Sequence, residues 1–412
     1  MHIDRIDLYL VRFPLAKSYL MADEPIEYFD TVLLRLQSGG LSGWGEVFPG
    51  NEPTITAAWS SAVFDCVQQC LIPRLAARPN VESAEQLGEL FQAIKGNRHS
   101  KALVDLAWWD LYSKMKNEPL HQILGGESKD IELGVTFDRH ESPNEFIEEV
   151  NRAVADGFKR VTLKIRPGWD LQVLGAVRSD HPTLMIQCDV EGSLDLDKHG
   201  ETIYRFDDFM PALLEQPLSA SEYVGHAMLQ DALRTPICLD ESVTTPHQAE
   251  IAMDLRSAAV FCLKPGKVGG LHDAKIIHDM ALGGEVDCYV GADIMTSIGY
   301  RFVMALASLP GVRRPTDYFR FDEYLMEDPG VALEPILKPE PGIAEEPHDE
   351  DRYEVHPNEK GEMVAEKVVP FTGPNILAGE NRLVVELWNE PGIGFEPNVE
   401  LIEKNAFRHF TS

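Results

Sequence analysis

The chain has 412 residues, which is too long for one ordinary small domain and natural for a single large barrel with a covering domain. Hydrophobic residues make up 44% of it and charged residues 25%, an ordinary composition for a soluble globular protein. The 67 acidic and 37 basic side chains give a net charge of -30. This balance argues against nucleic acid or an anionic membrane as a partner, because both demand a basic face.

Six cysteines in so long a chain do not indicate a disulfide framework. Four of them stand inside short apolar runs and are expected to be reduced and buried, namely Cys188, Cys238, Cys262 and Cys288. The N-terminus is a charged, alternating strand without the layout of a signal peptide, and no apolar segment reaches the length of a membrane span. The sequence therefore predicts a cytoplasmic protein.

The first 50 residues predict antiparallel strands. The first strand is expected to end at Pro14, and a hairpin is expected to turn at Gly39-Gly40. Three later stretches have apolar residues at three- and four-residue spacing and are expected to be helical: 54–75, 82–96 and 99–116. Strands followed by helices predict an α+β first domain.

A domain boundary is expected where a helix stopped at Gly125-Gly126 gives way to a strand near 131–137, so the first domain spans 1–127. In the second domain, 128–330, short apolar strands alternate with helical patterns, which is typical of a parallel α/β fold. The expected strands are 160–165, 184–189, 212–215, 236–240, 259–264 and 286–291. Between residues 164 and 264 their ends recur every 24 to 26 residues, the period of one β-α unit in a (β/α)₈ barrel.

The segment 331–380 breaks this pattern. It is rich in Pro and Glu and poor in apolar residues, which favours an exposed acidic insertion. Residues 381–412 return to strand and turn chemistry and form a separate C-terminal segment.

Charged residues stand at five of the regularly spaced strand ends: Lys164, Asp189, Glu215, Asp240 and Lys264. The C-terminal ends of barrel strands open on one face, so these side chains are expected to converge. Three carboxylates on successive strands suit a divalent cation such as Mg²⁺, which keeps positions for water and a substrate carboxylate. Taken singly, each residue has a structural explanation, as a turn or cap residue, a salt-bridge partner or a lysine reaching solvent. Five in register favour a functional site.

The stretches that carry these residues resemble the enolase superfamily, in its muconate-lactonizing subgroup. They are "LKIRPGWD", "CDVEG", "LLEQPL", "PICLDES" and "LKPGKVGGL". Within the subgroup, these motifs resemble most the sequences of o-succinylbenzoate synthases and N-acylamino acid racemases. The resemblance implies a modified TIM barrel, with an N-terminal α+β capping domain that the C-terminal segment completes by packing on it.

The resemblance also implies roles. Asp189, Glu215 and Asp240 would hold Mg²⁺, or Mn²⁺ in its place, and the metal would bind the carboxylate of a small-molecule substrate. Lys164 and Lys264 would stand on opposite faces of the α-carbon. The base must be neutral near pH 7, so its pKa is expected to fall substantially from about 10.4. Relatives are often homo-oligomers, and the same is expected here.

At two places near the site the sequence differs from the one usual in the family. Glu191 stands where an amide is usual, in Asp-Val-Glu rather than Asp-Ala-Asn, and could tighten metal binding, become a fourth ligand or cap the next helix. In "YVGADIMTSIGYRF" Met295 takes the usual acidic position and Asp293 is acidic two residues earlier, which favours altered substrate specificity or mere drift of the loop.

Further residues are expected around the substrate. Residues 17–25 correspond to a mobile capping loop, so Tyr19 and Met21 are predicted substrate contacts together with Asp293 and Met295. Glu241, like Glu191, is expected just behind the metal ligands.

Three functions stay open at this point. Removing the α-proton and expelling a β-hydroxyl would give o-succinylbenzoate, the leading hypothesis, whereas exchanging a proton between two lysines would racemise N-acylamino acids or epimerise dipeptides. The third is a metal-binding homologue that has lost its activity, which the intact lysine pair opposes.

Overall fold

A computed structural model gives the fold for most of the chain. The residues that it describes are 1–21, 24–137, 142–165, 170–339, 353–357, 363–367 and 381–412. The chain begins with three antiparallel strands: β1 (Arg5–Met21), β2 (Glu24–Ser38) and β3 (Leu41–Val47). The hairpin predicted at Gly39-Gly40 is confirmed, and both glycines have positive φ, 55° and 87°.

The prediction that Pro14 ends the first strand is wrong. β1 continues to Met21, and its pairing with β2 shifts register between Pro14 and Tyr19. Proline cannot donate to a strand ladder and is tolerated where the ladder is irregular. Residues 17–21, expected in a loop, are therefore the far end of a long strand.

Helices cover this sheet on one side. They are α1 (Ser60–Cys66), a π-helical turn (Val67–Leu71), α2 (Ile72–Ala77), α3 (Ala84–Phe91), α4 (Arg98–Lys116) and α5 (Leu120–Ile123). α4 lies directly on β3, because Gly43 and Gly45 have no side chain between the two elements. A Cβ on Gly43 would stand 2.3 Å from the carbonyl oxygen of Ala107. The glycines of "GLSGWGE" thus set the spacing between helix and sheet.

Eight parallel strands follow, in the order that the strand period predicts. They are β4 (Asp130–Phe137), β5 (Arg160–Lys164), β6 (Met185–Asp189), β7 (Leu213–Glu215), β8 (Ile237–Leu239), β9 (Val260–Leu263), β10 (Asp287–Val290) and β11 (Thr316–Asp317). The strands β4 to β10 pair one after another in chain order, and β11 pairs with β4. This order is that of a (β/α)₈ barrel, with the strand ends on one face.

Helices alternate with these strands. They are α6 (Pro143–Asp156), α7 (Asp170–Asp180), α8 (Leu196–Arg205) with a 3₁₀ turn (Phe206–Phe209), α9 (Tyr223–Ala232), α10 (Pro246–Asp254), α11 (Pro265–Val268), α12 (Leu271–Gly283), α13 (Ser297–Ala307) and α14 (Phe321–Tyr324). The six strands predicted from sequence between 160 and 291 are confirmed, with ends that differ by at most a residue or two.

The rest of the chain adds strands to both sheets and forms a separate two-stranded sheet. The elements are β12 (Ile336–Pro339), β13 (Tyr353–Pro357), β14 (Met363–Lys367), β15 (Asn381–Glu386), α15 (Val399–Asn405) and β16 (Ala406–Thr411). β15 pairs with β4 and β12, β13 pairs with β14, and β16 pairs with β1. Most of the acidic segment predicted at 331–380 lies outside the described residues.

The apolar core contains one large cluster that runs through both sheets and a second, smaller cluster of residues from β7 to β10. The four cysteines predicted to be buried are buried, and all six are free thiols. Within the described ranges, helices fall short of the length and apolarity needed to span a membrane.

Candidate active site

One cavity at the C-terminal ends of the barrel strands collects the predicted catalytic and metal-binding residues. Lys164, Asp189 and Glu215 are the last residues of β5, β6 and β7. Asp240 and Lys264 directly follow β8 and β9. All five line this cavity, because the carboxyl ends of parallel strands meet on one side of a barrel.

Lys164 contacts two carboxylates. Its Nζ lies against Oε1 of Glu191 and 3.8 Å from Oδ2 of Asp189. Glu191 has a left-handed φ of 48°, and its N–H donates to Oδ1 of Asp189 at 3.1 Å. Glu191 does not cap the next helix, because the side chain of Asp195 accepts from the N–H groups of Asp197 and Lys198 at the start of α8. Of the uses predicted for Glu191, the capping one is wrong.

Lys264 has a matching environment. Its Nζ lies 2.9 Å from Oδ2 of Asp240 and 3.5 Å from Oδ1 of Asp293. Burial opposes the charged form, but negative groups led by Asp293 outweigh it and raise the pKa of Lys264 well above its ordinary value. For Lys264 this direction is opposite to the lowering expected of a base.

The three predicted metal ligands differ in how tightly they converge. One oxygen each from Glu215 and Asp240 lies within 4.8 Å of the other and of Sγ of Cys262. Asp189 stands outside this tight group, yet burial, followed by the charge of Glu215, raises the pKa of Asp189 to about 7. A buried carboxylate whose ionisation is opposed by a neighbouring negative charge is a fitting environment for a divalent cation.

A further buried carboxylate lies beside this group. Glu241 lines the cavity, and its Oε2 is buried without a hydrogen-bond partner among the described residues. Burial, and then the charge of Asp189, raises the pKa of Glu241 to about 7. An unpartnered buried oxygen at this place also fits a cation.

Glu215 is held by residues that sequence reasoning missed. Tyr289 on β10 donates its hydroxyl to Oε2 of Glu215 at 2.6 Å, and Gln187 on β6 donates its amide to the same oxygen. Both side chains point into the barrel from strands that do not pair with each other, β6 and β10, so only the assembled barrel brings them together. The alternation of inward positions along β6 was the available signal, since Gln187 stands two residues before Asp189.

Lys267 was also missed. Its buried Nζ contacts Oδ1 of Asp240 and donates to the carbonyl oxygen of Asp240 at 2.5 Å. Burial lowers the pKa of Lys267 to about 8. The signal was its place in "LKPGKVGGL", three residues after Lys264 and therefore one helical turn along α11.

A buried guanidinium lies below the cavity floor. Arg160, two positions before Thr162 on the inward face of β5, contacts the hydroxyl of Thr162 and donates to Oδ1 of Asp317 at 2.5 Å. Gly134 on β4 leaves room for it, because a Cβ there would stand 2.2 Å from Nε of Arg160. Arg160 was missed because its partner Asp317 is 157 residues away.

The predicted substrate contacts fall into two groups. Tyr19, Met21 and Asp293 line the main cavity. Met295 lines a smaller neighbouring cavity that Lys264 and Asp293 share. The ring of Tyr19 packs edge-on against Tyr324 of α14, 5.5 Å away, so the end of β1 rests on the barrel.

Comparison with known proteins covers both parts of the chain. Residues 7–125 match the family model "Mandelate racemase / muconate lactonizing enzyme, N-terminal domain", and residues 145–355 match "Enolase C-terminal domain-like". An o-succinylbenzoate synthase of Geobacillus kaustophilus is 35% identical over 70% of this chain and 76% of that protein. An N-succinylamino acid racemase of Thermus thermophilus is 31% identical over 80% of this chain and 88% of that protein. A crystal structure of an enolase superfamily member from Listeria innocua matches with a TM-score of 0.84 at 24% identity, covering 100% of this chain and 99% of that one.

Proposed function

This chain belongs to the mandelate racemase/muconate lactonizing enzyme family of the enolase superfamily, and from that premise we propose that it removes a proton α to the carboxylate of a small-molecule substrate. The observation that supports this most is the single cavity that collects two lysines and three carboxylates from successive strand ends. The named activity that we propose is dehydration to o-succinylbenzoate, which makes the protein a lyase.

The family in general depends on Mg²⁺, and the residues present fit a divalent cation. Asp189, Glu215 and Asp240 would hold Mg²⁺, with Mn²⁺ as the alternative; the crowded carboxylates and the unpartnered oxygen of Glu241 support this assignment. When bound, the cation supplies positive charge that stabilises the negative charge developing on the substrate carboxylate and offsets the carboxylates around Lys264.

The two lysines would move the protons. In the dehydration, neutral Lys164 takes the α-proton, and the resulting ammonium returns a proton to the β-hydroxyl, which leaves as water while the electrons of the C–H bond form the new double bond. Lys264 stays an ammonium and stabilises the developing negative charge from the other side. Tyr19 and Met21 at the end of β1 would cover the substrate.

A second candidate is an isomerase that racemises N-acylamino acids or epimerises dipeptides. It is favoured by the equivalence of the two lysines, each of which reaches the cavity and contacts carboxylates. Here Lys164 and Lys264 would exchange roles as acid and base on the two faces of the α-carbon.

¹H NMR in D₂O with added Mg²⁺ tests the proposal and separates the two candidates. The probes are the cyclic β-hydroxy carboxylate that loses water to become o-succinylbenzoate, and an N-succinylamino acid. Dehydration would produce new aromatic signals from the first probe. Racemisation would exchange the α-proton of the second without forming an alkene. Failure of both reactions at every Mg²⁺ concentration would contradict the proposed function.

A further inference from the structure

Among the described residues, each of the two lysines in the cavity contacts one predicted metal ligand and one other carboxylate. Lys164 contacts Asp189 and Glu191, and Lys264 contacts Asp240 and Asp293. The two environments repeat each other although they come from different strands. Such a repetition points to a shared role for the two carboxylates outside the metal-binding set, Glu191 and Asp293.

Both of these carboxylates belong to places where the sequence differs from the one usual in the family. Glu191 replaces a usual amide, and Asp293 lies two residues before the usual acidic position, which Met295 now occupies. Both line the main cavity, with side chains 20% and 34% exposed. They are therefore neither core residues nor freely solvated surface charges.

The two carboxylates stand outside the set of residues proposed to hold Mg²⁺. They would therefore keep their lysine contacts when Asp189 and Asp240 hold the cation. A lysine side chain has four rotatable bonds, and fixing it needs a strong directional contact. An N–H remains available for that contact in both the ammonium and the amine form of the lysine.

We propose that Glu191 and Asp293 are positioning residues, each of which fixes the nitrogen of one lysine on its own side of the substrate's α-carbon. Glu191 serves Lys164 and Asp293 serves Lys264. The inference rests on the proposed function, because it assumes that the lysines exchange protons with the α-carbon. It goes beyond that function by giving each face of the site its own acidic partner.

The test measures proton exchange on each face of the α-carbon separately. The α-protons of the D and L enantiomers of an N-succinylamino acid are exchanged in D₂O with Mg²⁺ and followed by ¹H NMR. Lys164→Ala and Lys264→Ala first establish which enantiomer depends on which lysine. Without exchange or dehydration by the unaltered enzyme, the proposed function itself fails.

The expected result is a matched pattern of losses. Glu191→Ala lowers kcat at least tenfold for the enantiomer that depends on Lys164 and less than threefold for the other, and Asp293→Ala does the reverse. Glu191→Gln and Asp293→Asn recover part of the rate, because an amide oxygen still accepts from the lysine. A structural defect would lower kcat for both enantiomers together.

If the unaltered enzyme only dehydrates, the same variants are compared by dehydration rate. Glu191→Ala is then expected to lower kcat at least tenfold, as a partner of the base, with KM within about threefold. Calorimetric titration with Mg²⁺ should give a Kd within about threefold of the unaltered enzyme for both Ala variants.

The control is Glu323→Gln, which removes a carboxylate of α14 that contacts Lys17 and Arg320 instead of the two lysines. This variant should leave the ratio of the exchange rates of the two enantiomers unchanged. Equal losses for both enantiomers, unchanged rates in an active enzyme, or a large loss of Mg²⁺ affinity in Glu191→Ala would each overturn the proposal, the last by making Glu191 a metal ligand.

Discussion

The ends of the barrel strands and the rim of the cavity contribute to the site in different ways. The strand ends supply Lys164, Asp189 and Glu215 in unbroken register with their neighbours. The rim is formed by the end of β1 and by residues 291–295, and the second of these segments departs from the sequence usual in the family. We therefore expect changes at the strand ends to alter the chemistry and changes at the rim to alter substrate binding.

The largest expected effect tests the strand ends. Glu215→Gln still allows hydrogen bonds from Tyr289 and Gln187, but it removes the negative charge at the centre of the predicted metal site. Mg²⁺ affinity, measured by calorimetric titration, should fall by about 100-fold or more, and turnover with it. Glu250→Gln, at an exposed position on α10, is the control. An unchanged Mg²⁺ titration would remove Glu215 from the ligand set.

A second change separates the base from the ligands. Lys164→Ala should lower the rate of α-proton exchange or dehydration by about 10²–10⁴-fold, the usual worth of general acid–base catalysis. Its Mg²⁺ affinity should stay nearly unchanged, because the lysine is not a ligand. Turnover retained with every tested substrate would contradict the assignment of Lys164.

A third change tests the rim. Tyr19→Ala removes a ring that lines the cavity and packs on Tyr324, a contact worth about 1 kcal/mol beyond its buried area. We expect KM to rise about fivefold to tenfold while kcat changes less, since the ring does not carry the proton. A fall in kcat with unchanged KM would place Tyr19 in the chemistry instead.

The prediction with the smallest expected effect on turnover concerns the support behind β7, where the change is expected in stability instead. His226 is buried and neutral: Nδ1 donates to the carbonyl oxygen of Glu222 at 2.8 Å, and Nε2 accepts from the N–H of Leu218 at 3.2 Å. Burial lowers the pKa of His226 from 6.5 to about 4. Between these values the unfolded chain binds a proton that the folded chain does not, so stability present above pH 6.5 is lost as pH falls toward 4.

Thermal unfolding between pH 7 and pH 4.5 measures this loss. His226→Gln should flatten the dependence of the unfolding midpoint on pH by an amount equivalent to about 2 kcal/mol. His247→Gln, at an exposed histidine of α10, should leave the dependence as it is. Identical slopes in all three proteins would show that His226 titrates normally.

The sequence predicted the strand ends well because their period is local and repeats. The five charged residues at those ends were found without any knowledge of long-range contacts, and the structure brings them into one cavity. The fold class followed from the same period and from the resemblance of the strand-end motifs.

The parts that could not be predicted depend on contacts between distant segments. Pro14 was misread because the irregular pairing that accommodates it involves β2. The contact of Glu191 with Lys164 depends on a left-handed backbone at residue 191, which glutamate rarely adopts. Lys267 and Arg160 were missed because each forms an ion pair with a carboxylate from another part of the barrel.

The pairing of β16 with β1 has a consequence for biosynthesis. The first strand of the chain finds one of its two neighbours only at residues 406–411, about 400 positions later. A ribosome would therefore release nearly the whole barrel before the N-terminal sheet could be completed. During that interval β1 exposes an unpaired edge, which is a site for chaperone binding or for aggregation of nascent chains.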